Sequence, residues 1–276
     1  NALQDQGKLD EAIEVFKKSI SFLPNYYEAY TNMGIIQNGM GNVDAALASY
    51  KKALELKPDY PEAYYNIGNS FKAVGSFDRA IESYNKAVTL RADYADAFNN
   101  MGVSYKLKQE FNHAIKCFRH ALKIKPDYAE VYNNLGVAFY DMGDVASALK
   151  SYDKALIIKA DFYEVYLNQC EAFETSNRLE DLKRVIKLAK DNFDNRLTEI
   201  TFYEAIYYYR IKNYTVCNDL MSLINLDDLS KTRKIAFLNL QANLFQKQKN
   251  YKSAFNCFKM MNKFSVDTDA YNKEAA

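Results

Sequence analysis

Residues 61–94 read PEAYYNIGNSFKAVGSFDRAIESYNKAVTLRADY, and this stretch decides the fold of the chain. Apolar and small residues recur at helical spacing in both of its halves. The first half carries Tyr64, Ile67, Gly68 and Phe71, and the second half carries Phe77, Ala80, Ile81, Tyr84, Ala87 and Val88. The pattern predicts two antiparallel helices of about three to four turns each, with the first ending at Gly75.

The same pattern runs without a gap through four consecutive blocks of 34 residues, at 27–60, 61–94, 95–128 and 129–162. Eight of the nine glycines fall at two positions of the block, and only Gly39 stands apart. The first position holds Gly34, Gly68, Gly102 and Gly136, and the second holds Gly7, Gly41, Gly75 and Gly143, with Gln109 in the remaining block. A third position holds Ala12, Ala46, Ala80, Ala114 and Ala148, and a fourth holds Pro24, Pro58 and Pro126.

Each recurring position has a physical role. A glycine inside a helix costs about 1 kcal/mol relative to alanine, so the first glycine indicates a close approach by a neighbouring helix. The second glycine is predicted to end the first helix in the left-handed conformation. The alanine lets the second helix pack on the first, and the proline ends the second helix. Because one helix pair cannot bury its apolar face alone, stacked pairs are expected to share one continuous core.

Weaker versions of the block flank these four. Residues 1–26 are predicted to be part of an earlier repeat, with Gly7 at its turn position. Two degenerate repeats are predicted at 163–197 and 198–234, the second with a short insertion, followed by a repeat at 235–268 and a tail at 269–276. Since the chain starts within a repeat and ends without a polar cap, we expect it to be a piece of a longer protein.

Composition restricts the function. Lys plus Arg is 36 and Asp plus Glu is 35, a net charge of +1 that predicts no nucleic-acid or membrane partner. Cys117, Cys170, Cys217 and Cys257 lie at least 40 residues apart, and His113 and His120 are the only histidines, so we expect neither a metal nor another cofactor. Buried, reduced thiols favour a cytoplasmic location. No nucleotide-binding loop, hydrolase elbow or metalloprotease helix is present, so these residues are predicted not to form an enzyme.

A 34-residue helix pair with these glycine, alanine, aromatic and proline positions resembles the tetratricopeptide repeat (TPR). The resemblance implies an all-α fold, a right-handed α-solenoid (superhelix) of antiparallel helix pairs, with the first helix of each pair lining a concave face. Such a face implies a protein or peptide partner. Residues 258–276 are also similar to the junction in bacterial TPR–sulfotransferase fusions.

One position on the presumed concave face is asparagine in five successive blocks, and we call this row the asparagine ladder: Asn32, Asn66, Asn100, Asn134 and Asn168. A primary amide both donates and accepts hydrogen bonds, so such a row is suited to holding the backbone of an extended peptide. It resembles the row in the TPR arm of O-linked N-acetylglucosamine transferase. The alternative is that asparagine is simply common at this position of the family. Further candidate contacts on the same face are Tyr65, Asn69, Lys72, Lys106 and Tyr140.

Acidic residues begin the same helices, at Glu28, Glu62, Asp96, Glu130 and Glu164. They complement the helix dipole, or they form an acidic rail for a ligand. Aspartates just before these helices are predicted to cap them, at Asp59, Asp93, Asp127 and Asp161. Some family members clamp a C-terminal carboxylate with Lys/Arg and Asn. Asn69 and Asn100 match the asparagines of that clamp, but Tyr65, Glu130 and Asn133 stand where cations are needed, which argues against it.

Two functions follow as hypotheses. The first is a protein–protein interaction scaffold that binds an extended peptide or a partner helix in its concave groove. The second is the recruiting arm of a larger enzyme, a sulfotransferase or a glycosyltransferase, whose catalytic domain lies outside these residues. Self-association through the terminal repeats is a further alternative, because terminal repeats expose apolar surface.

Overall fold

The computed structural model describes the backbone of residues 2–193 and 198–274, and the side chains of residues 8–193 and 198–264. Fifteen α-helices and one short 3-10 turn occupy the described backbone, which contains no strand. The all-α prediction is therefore confirmed. The chain divides into two compact units, Asn1–Ile158 and Lys159–Ala276, called here the first and second units.

The first unit contains nine helices, of which eight form four antiparallel pairs. In order they are α1 (Ala2–Phe22), α2 (Tyr27–Gly39), α3 (Val43–Leu56), α4 (Pro61–Ala73), α5 (Phe77–Leu90), α6 (Ala95–Leu107), α7 (Phe111–Ile124), α8 (Ala129–Asp141) and α9 (Val145–Ile158). The helices of a pair contact each other most extensively, and the second helix of each pair also packs on the first helix of the next. Because every pair contacts its neighbours in this way, the core runs through the unit as expected for a solenoid.

The first glycine of each block lies where an aromatic ring of the second helix presses on the first. A Cβ built on Gly68 would lie 2.5 Å from Cε1 of Tyr84, and one on Gly102 would lie 2.7 Å from Cε1 of Phe118. Both rings are fully buried. Real Cβ atoms do not approach a ring this closely, so the prediction of a close helix approach is confirmed. The alanines of the third position, from Ala46 to Ala148, are also fully buried.

The turn between the two helices of a pair has a left-handed residue. Gly41, Gly75 and Gly143 have φ values of 81°, 75° and 90°, as the second glycine position predicts. Gln109 takes the same conformation with φ 61° although it is not glycine. Gly7 does not, because α1 is continuous from Ala2 to Phe22. The few residues before Gly7 extend α1 by about one turn rather than forming a separate helix, so its predicted turn is wrong.

Replacing Gln109 by glycine is expected to raise the free energy of unfolding by about 0.5–1 kcal/mol, because a left-handed backbone strains any residue with a Cβ. Urea denaturation measures the change. The matched control is Gly75→Ala at the same turn of the preceding pair, where nothing lies within 4 Å of the new Cβ and only the backbone is strained. We expect Gly75→Ala to lower the free energy of unfolding by a similar amount. An unchanged or lower stability of Gln109→Gly would mean that contacts of the glutamine side chain, not its backbone, determine this turn.

The aspartates before the first helices do not cap them, contrary to prediction. The N-cap residue is the aromatic one that follows, Tyr60, Tyr94, Tyr128 or Phe162, and none of these side chains makes a capping hydrogen bond. In one such loop the backbone carbonyl of Asp93, rather than its carboxylate, accepts from the N–H of Ala95 at 3.1 Å. The aromatic ring at the N-cap contacts a cation three residues earlier, with Lys125 Nζ 4.3 Å from the ring centroid of Tyr128.

The second unit contains six helices and the 3-10 turn. They are α10 (Tyr163–Thr175), α11 (Leu179–Asn192), α12 (Thr198–Arg210), α13 (Tyr214–Ser222), the 3-10 turn (Leu226–Asp228), α14 (Lys231–Lys247) and α15 (Tyr251–Glu274). Left-handed residues recur at Asn177, Lys212 and Lys249, so the helix–turn–helix pattern persists where the glycines are gone. The boundary predicted after residue 197 falls at residues 194–197, outside the described residues.

The end of the second unit differs from the predicted block in two ways. Helix α14 begins at Lys231, four residues before the predicted start of the repeat, because the side chain of Ser230 accepts from the N–H of Arg233 and caps the helix there. The insertion is therefore the segment with the 3-10 turn, in which the Asn225 side chain accepts from the N–H of Asp227 at 3.2 Å. Helix α15 continues through the predicted repeat end at residue 268 to Glu274.

Candidate peptide-binding surface

The first helices of the first unit form a common surface. Helix α2 contacts α4, α4 contacts α6 and α6 contacts α8, whereas the second helices of successive pairs approach one another less closely. The side with the closer helices is the shorter side of a curved stack, so we infer that the unit bends with its first helices inward. We call the exposed side of α2, α4, α6 and α8 the inner surface.

Three polar side chains join α4 to α6 on the inner surface, and a fourth, from α5, supports them from the core. Asn100 Nδ2 donates to Asn69 Oδ1 at 2.9 Å and to the hydroxyl of Tyr65 at 3.0 Å. The hydroxyl of Tyr84, whose ring fills the core beneath, donates to the same Asn69 Oδ1 at 2.8 Å. Both N–H groups of Asn100 are therefore used, and its Oδ1 is the atom left to accept from a ligand.

The ladder asparagines of the first unit differ in how they are held. Asn134 Nδ2 donates to Asn99 Oδ1 of the preceding first helix at 3.0 Å. Asn66 is half-buried and makes no side-chain hydrogen bond to another described residue, so its whole amide is available. Asn32 is exposed to solvent. Asn168, the fifth predicted member, lies on α10 in the second unit and is half-buried there.

The ring of Tyr65, one of the predicted contacts, packs against two other tyrosine rings. Its ring centroid lies 5.0 Å from that of Tyr94 and 5.9 Å from that of Tyr84. Burial raises the pKa of Tyr65 above its usual value, and burial also raises the pKa of Tyr84. Both hydroxyls therefore stay protonated around neutral pH and remain able to donate a hydrogen bond.

The acidic residues at the helix starts are confirmed in the first turns of α2, α4, α6, α8 and α10. Two of them are engaged within the unit. Glu62 forms an ion pair with Arg91 at the end of the same repeat. Asp96 accepts from the hydroxyl of Tyr128 at 2.6 Å. The pKa of Tyr128 is raised by burial first and by this hydrogen bond second.

The two predicted cations occupy equivalent positions near the ends of α4 and α6. Lys72 and Lys106 are both half-buried, and neither forms an ion pair or a side-chain hydrogen bond with a described residue. Burial lowers the pKa of Lys72 below its usual value. The corresponding residue of α2, Asn38, accepts from Ser70 Oγ at 2.8 Å, and the corresponding residue of α8 is the half-buried Tyr140.

No other part of the described structure gathers groups suited to chemistry. The four cysteines are free and buried, and burial raises the pKa of the Cys117 thiol to about 12 and that of Cys217 to about 11. These thiols are therefore poor nucleophiles. The described residues contain no group of His, Cys, Asp and Glu side chains that is arranged to hold a metal ion. None of the described helices is both long and apolar enough to cross a membrane.

Sequence analysis missed two parts of this surface. Asn99 was not among the predicted contacts, although it anchors Asn134. Tyr84 was assigned to the core alone, although its hydroxyl reaches Asn69. A tyrosine instead of a phenylalanine at a buried position is a usable signal, because a buried hydroxyl requires a partner.

Antiparallel helix pairs stacked in register, with a polar surface along their first helices, define an α-solenoid of the protein-interaction class. The family profile described as TPR repeat matches residues 1–41, 38–75, 68–109 and 104–143, and the profile described as tetratricopeptide repeat matches 129–162. The chain therefore belongs to the tetratricopeptide repeat family, whose members bind protein or peptide partners.

Solved structures include similar chains, whereas no curated protein sequence matches. MamA is 29% identical, with an alignment that covers 57% of this chain and 92% of MamA and a TM-score of 0.52. PilF of Pseudomonas aeruginosa is 19% identical, covering 71% of this chain and 89% of PilF with a TM-score of 0.61. YrrB, described as a TPR protein with an unusual peptide-binding site, is 19% identical, with an alignment that covers 72% of this chain and 99% of YrrB and a TM-score of 0.56. At 19% identity the last two likenesses concern the fold alone.

Proposed function

We propose that the first unit binds an extended peptide segment of a partner protein on its inner surface, with the asparagine ladder holding the peptide backbone. The observation that carries the proposal is the hydrogen bonding of Asn100 and Asn134 to the preceding first helix. These bonds fix the amides before a ligand arrives, and preorganised groups lose less entropy on binding.

The polar groups left over suit a peptide backbone. Asn66 offers both a donor and an acceptor, Asn100 offers Oδ1, and Asn134 offers Oδ1 and a second N–H. Backbone amides present donors and acceptors in alternation, so a row of this kind holds a chain without reading its side chains. Neighbouring helices lie about 8–10 Å apart, and an extended chain advances about 3.3 Å per residue. Four first helices therefore match a peptide of about twelve residues.

Replacing Asn66, Asn100 and Asn134 together by alanine is expected to weaken peptide binding by about tenfold or more, since each lost hydrogen bond is worth about 0.5–1.5 kcal/mol. The measurement is the binding of the wild-type chain and the variant to an array of random-sequence peptides of this length, followed by calorimetry on the strongest binders.

Asn85→Ala combined with Asn112→Ala is the matched control, because both asparagines are exposed on the second helices α5 and α7. This control is expected to bind as the wild type does. Circular dichroism should show that the triple variant is folded, since two of the three changes remove bonds between helices. A folded triple variant with unchanged affinity would contradict the ladder hypothesis and leave asparagine as an ordinary feature of the family.

The recruiting-arm hypothesis concerns the same surface in a larger protein. The discriminating observation is the reading frame beyond Ala276. A sulfotransferase or glycosyltransferase domain encoded there would make the peptide-binding surface a site for presenting substrates or partners to that enzyme. A stop codon at that point would eliminate this alternative.

A further inference from the structure

The charges of the inner surface are unequally compensated in the second and third repeats. The acidic residues there are engaged: Glu62 pairs with Arg91, and Asp96 accepts a hydrogen bond from Tyr128. Lys72 and Lys106, at the other ends of α4 and α6, have no such partner among the described residues. The Glu62–Arg91 pair is neutral, whereas Asp96 keeps its negative charge because Tyr128 is an uncharged donor. Together with the two lysines these groups still leave a net positive charge on this part of the surface, although the chain as a whole carries only +1.

The burial of these lysines makes the imbalance significant. Lysine is normally exposed, and a charge withdrawn from water without a counterion raises the free energy of the folded state. Other lysines of the first unit show the usual solutions. Lys108 pairs with Asp78 and Glu110, Lys52 pairs with Glu55, and Lys116 and Lys123 are exposed to solvent. A half-buried cation in a binding surface gains more from an incoming anion than an exposed one does, because the surrounding dielectric is lower.

The position of the two lysines ties them to the asparagine ladder. Lys72 follows Asn69 by three residues on α4, which places it on the same side of the helix one turn further along. Asn69 is joined to α6 through Asn100, so the two helices that carry the lysines are held together at that point. Lys106 holds the equivalent position 34 residues later.

We propose that Lys72 and Lys106 form an anion subsite within the peptide-binding surface, and that the partner segment is acidic, with carboxylate side chains about three residues apart. The spacing follows from neighbouring helices about 8–10 Å apart and a chain rise of about 3.3 Å per residue. This inference rests on the proposed peptide binding and adds the charge of the partner. The subsite is separate from a C-terminal carboxylate clamp, whose cationic positions hold Tyr65, Asn133 and Glu130 here.

The test uses four sets of labelled peptides of about twelve residues that share neutral sequences and differ at the fifth and eighth positions. One set carries glutamate there, and the others carry glutamine, lysine and phosphoserine. Fluorescence anisotropy with the full chain is expected to show the glutamate set binding about tenfold tighter than the glutamine set at low salt, and the lysine set binding most weakly. The glutamate advantage is expected to shrink as salt is added.

The deciding variant is Lys72→Gln combined with Lys106→Gln, which should reduce the ratio of glutamate-set to glutamine-set affinity to about twofold or less. Circular dichroism checks that the variant is folded, which is expected because the change removes two half-buried charges that have no ion-pair partner among the described residues. The matched control is Lys116→Gln with Lys123→Gln on the exposed face of α7, which should keep the full advantage.

Three outcomes would overturn the proposal. The first is equal binding of the glutamate and glutamine sets. The second is a glutamate advantage that survives in the Lys72→Gln/Lys106→Gln variant. The third is an advantage confined to the phosphoserine set, which would assign the subsite to phosphorylated segments instead. In each case the proposed peptide binding would stand if the neutral peptides bind the wild-type chain more tightly than the Asn66/Asn100/Asn134 triple alanine variant. If no peptide set distinguishes these two proteins, the proposed function itself is contradicted.

Discussion

Replacing Gly102 by leucine is expected to lower the free energy of unfolding by about 2–3 kcal/mol, among the largest effects available from one added side chain in this protein. A Cβ at this position would already lie 2.7 Å from Cε1 of Phe118 and 2.9 Å from its Cδ1. The ring of Phe118 is fully buried, so it cannot turn aside without displacing the residues around it. Either α6 and α7 must separate, or the ring must take a strained rotamer.

Gly39→Leu is the matched control, because Gly39 also lies in a first helix but has nothing within 4 Å of its Cβ position. There the substitution should be neutral or slightly stabilising, since glycine in a helix costs about 0.5–1 kcal/mol relative to other residues. Urea denaturation followed by circular dichroism measures both variants. Equal stability of Gly102→Leu and Gly39→Leu would mean that the close contact between α6 and α7 does not exist in solution.

Replacing Tyr84 by alanine is expected to cost about 3–5 kcal/mol, because the ring is fully buried and its removal leaves a cavity. Tyr84 packs on Gly68, and its hydroxyl holds Asn69 at 2.8 Å. The loss should therefore appear both in urea denaturation and in peptide binding. Since the ring is shared between the core and the inner surface, this residue connects the stability of the unit to the geometry of its binding groups.

Tyr84→Phe separates the two contributions. The ring stays, so the stability should fall by only about 0.5–1.5 kcal/mol for the lost hydrogen bond. Asn69 would then be held by Asn100 alone, and peptide affinity should fall by a few fold. A Tyr84→Phe variant as unstable as Tyr84→Ala would show that the hydroxyl, not the packing of the ring, dominates. Unchanged peptide affinity would show that Asn69 needs no support from the core.

The fold of the first unit was predictable because local and tertiary requirements coincide at the same positions. Glycine is costly in a helix interior, so Gly68 indicates that a neighbouring group occupies the space of its side chain. An aromatic ring, here Tyr84, stands at the matching position of the second helix in each block. Gln109 shows the limit of that reasoning. Its left-handed conformation is unfavourable for a residue with a Cβ, so only its alignment with Gly75 indicated the turn.

The sequence predicted which residues lie on the inner surface, but not the hydrogen bonds between them. Asn69 and Asn100 were both predicted to lie on it, yet nothing in the 34-residue period indicated that they would bond to each other and to Tyr65. The capping prediction was wrong for a related reason. Asp93 has the residue type of a cap, but the next residue, Tyr94, occupies the N-cap position, with its ring centroid 4.8 Å from Cζ of Arg91.

The sequence by itself determined the repeating helix pair, the register in which the pairs stack and the side of each first helix that remains polar. These properties follow from periodicity, because helical geometry maps residue spacing directly onto faces. The tertiary structure alone decided which amides are held in place, which carboxylates have a partner and which lysines are left without one. Those pairings join residues about thirty positions apart, and their distances depend on how far each helix is shifted and rotated against the next.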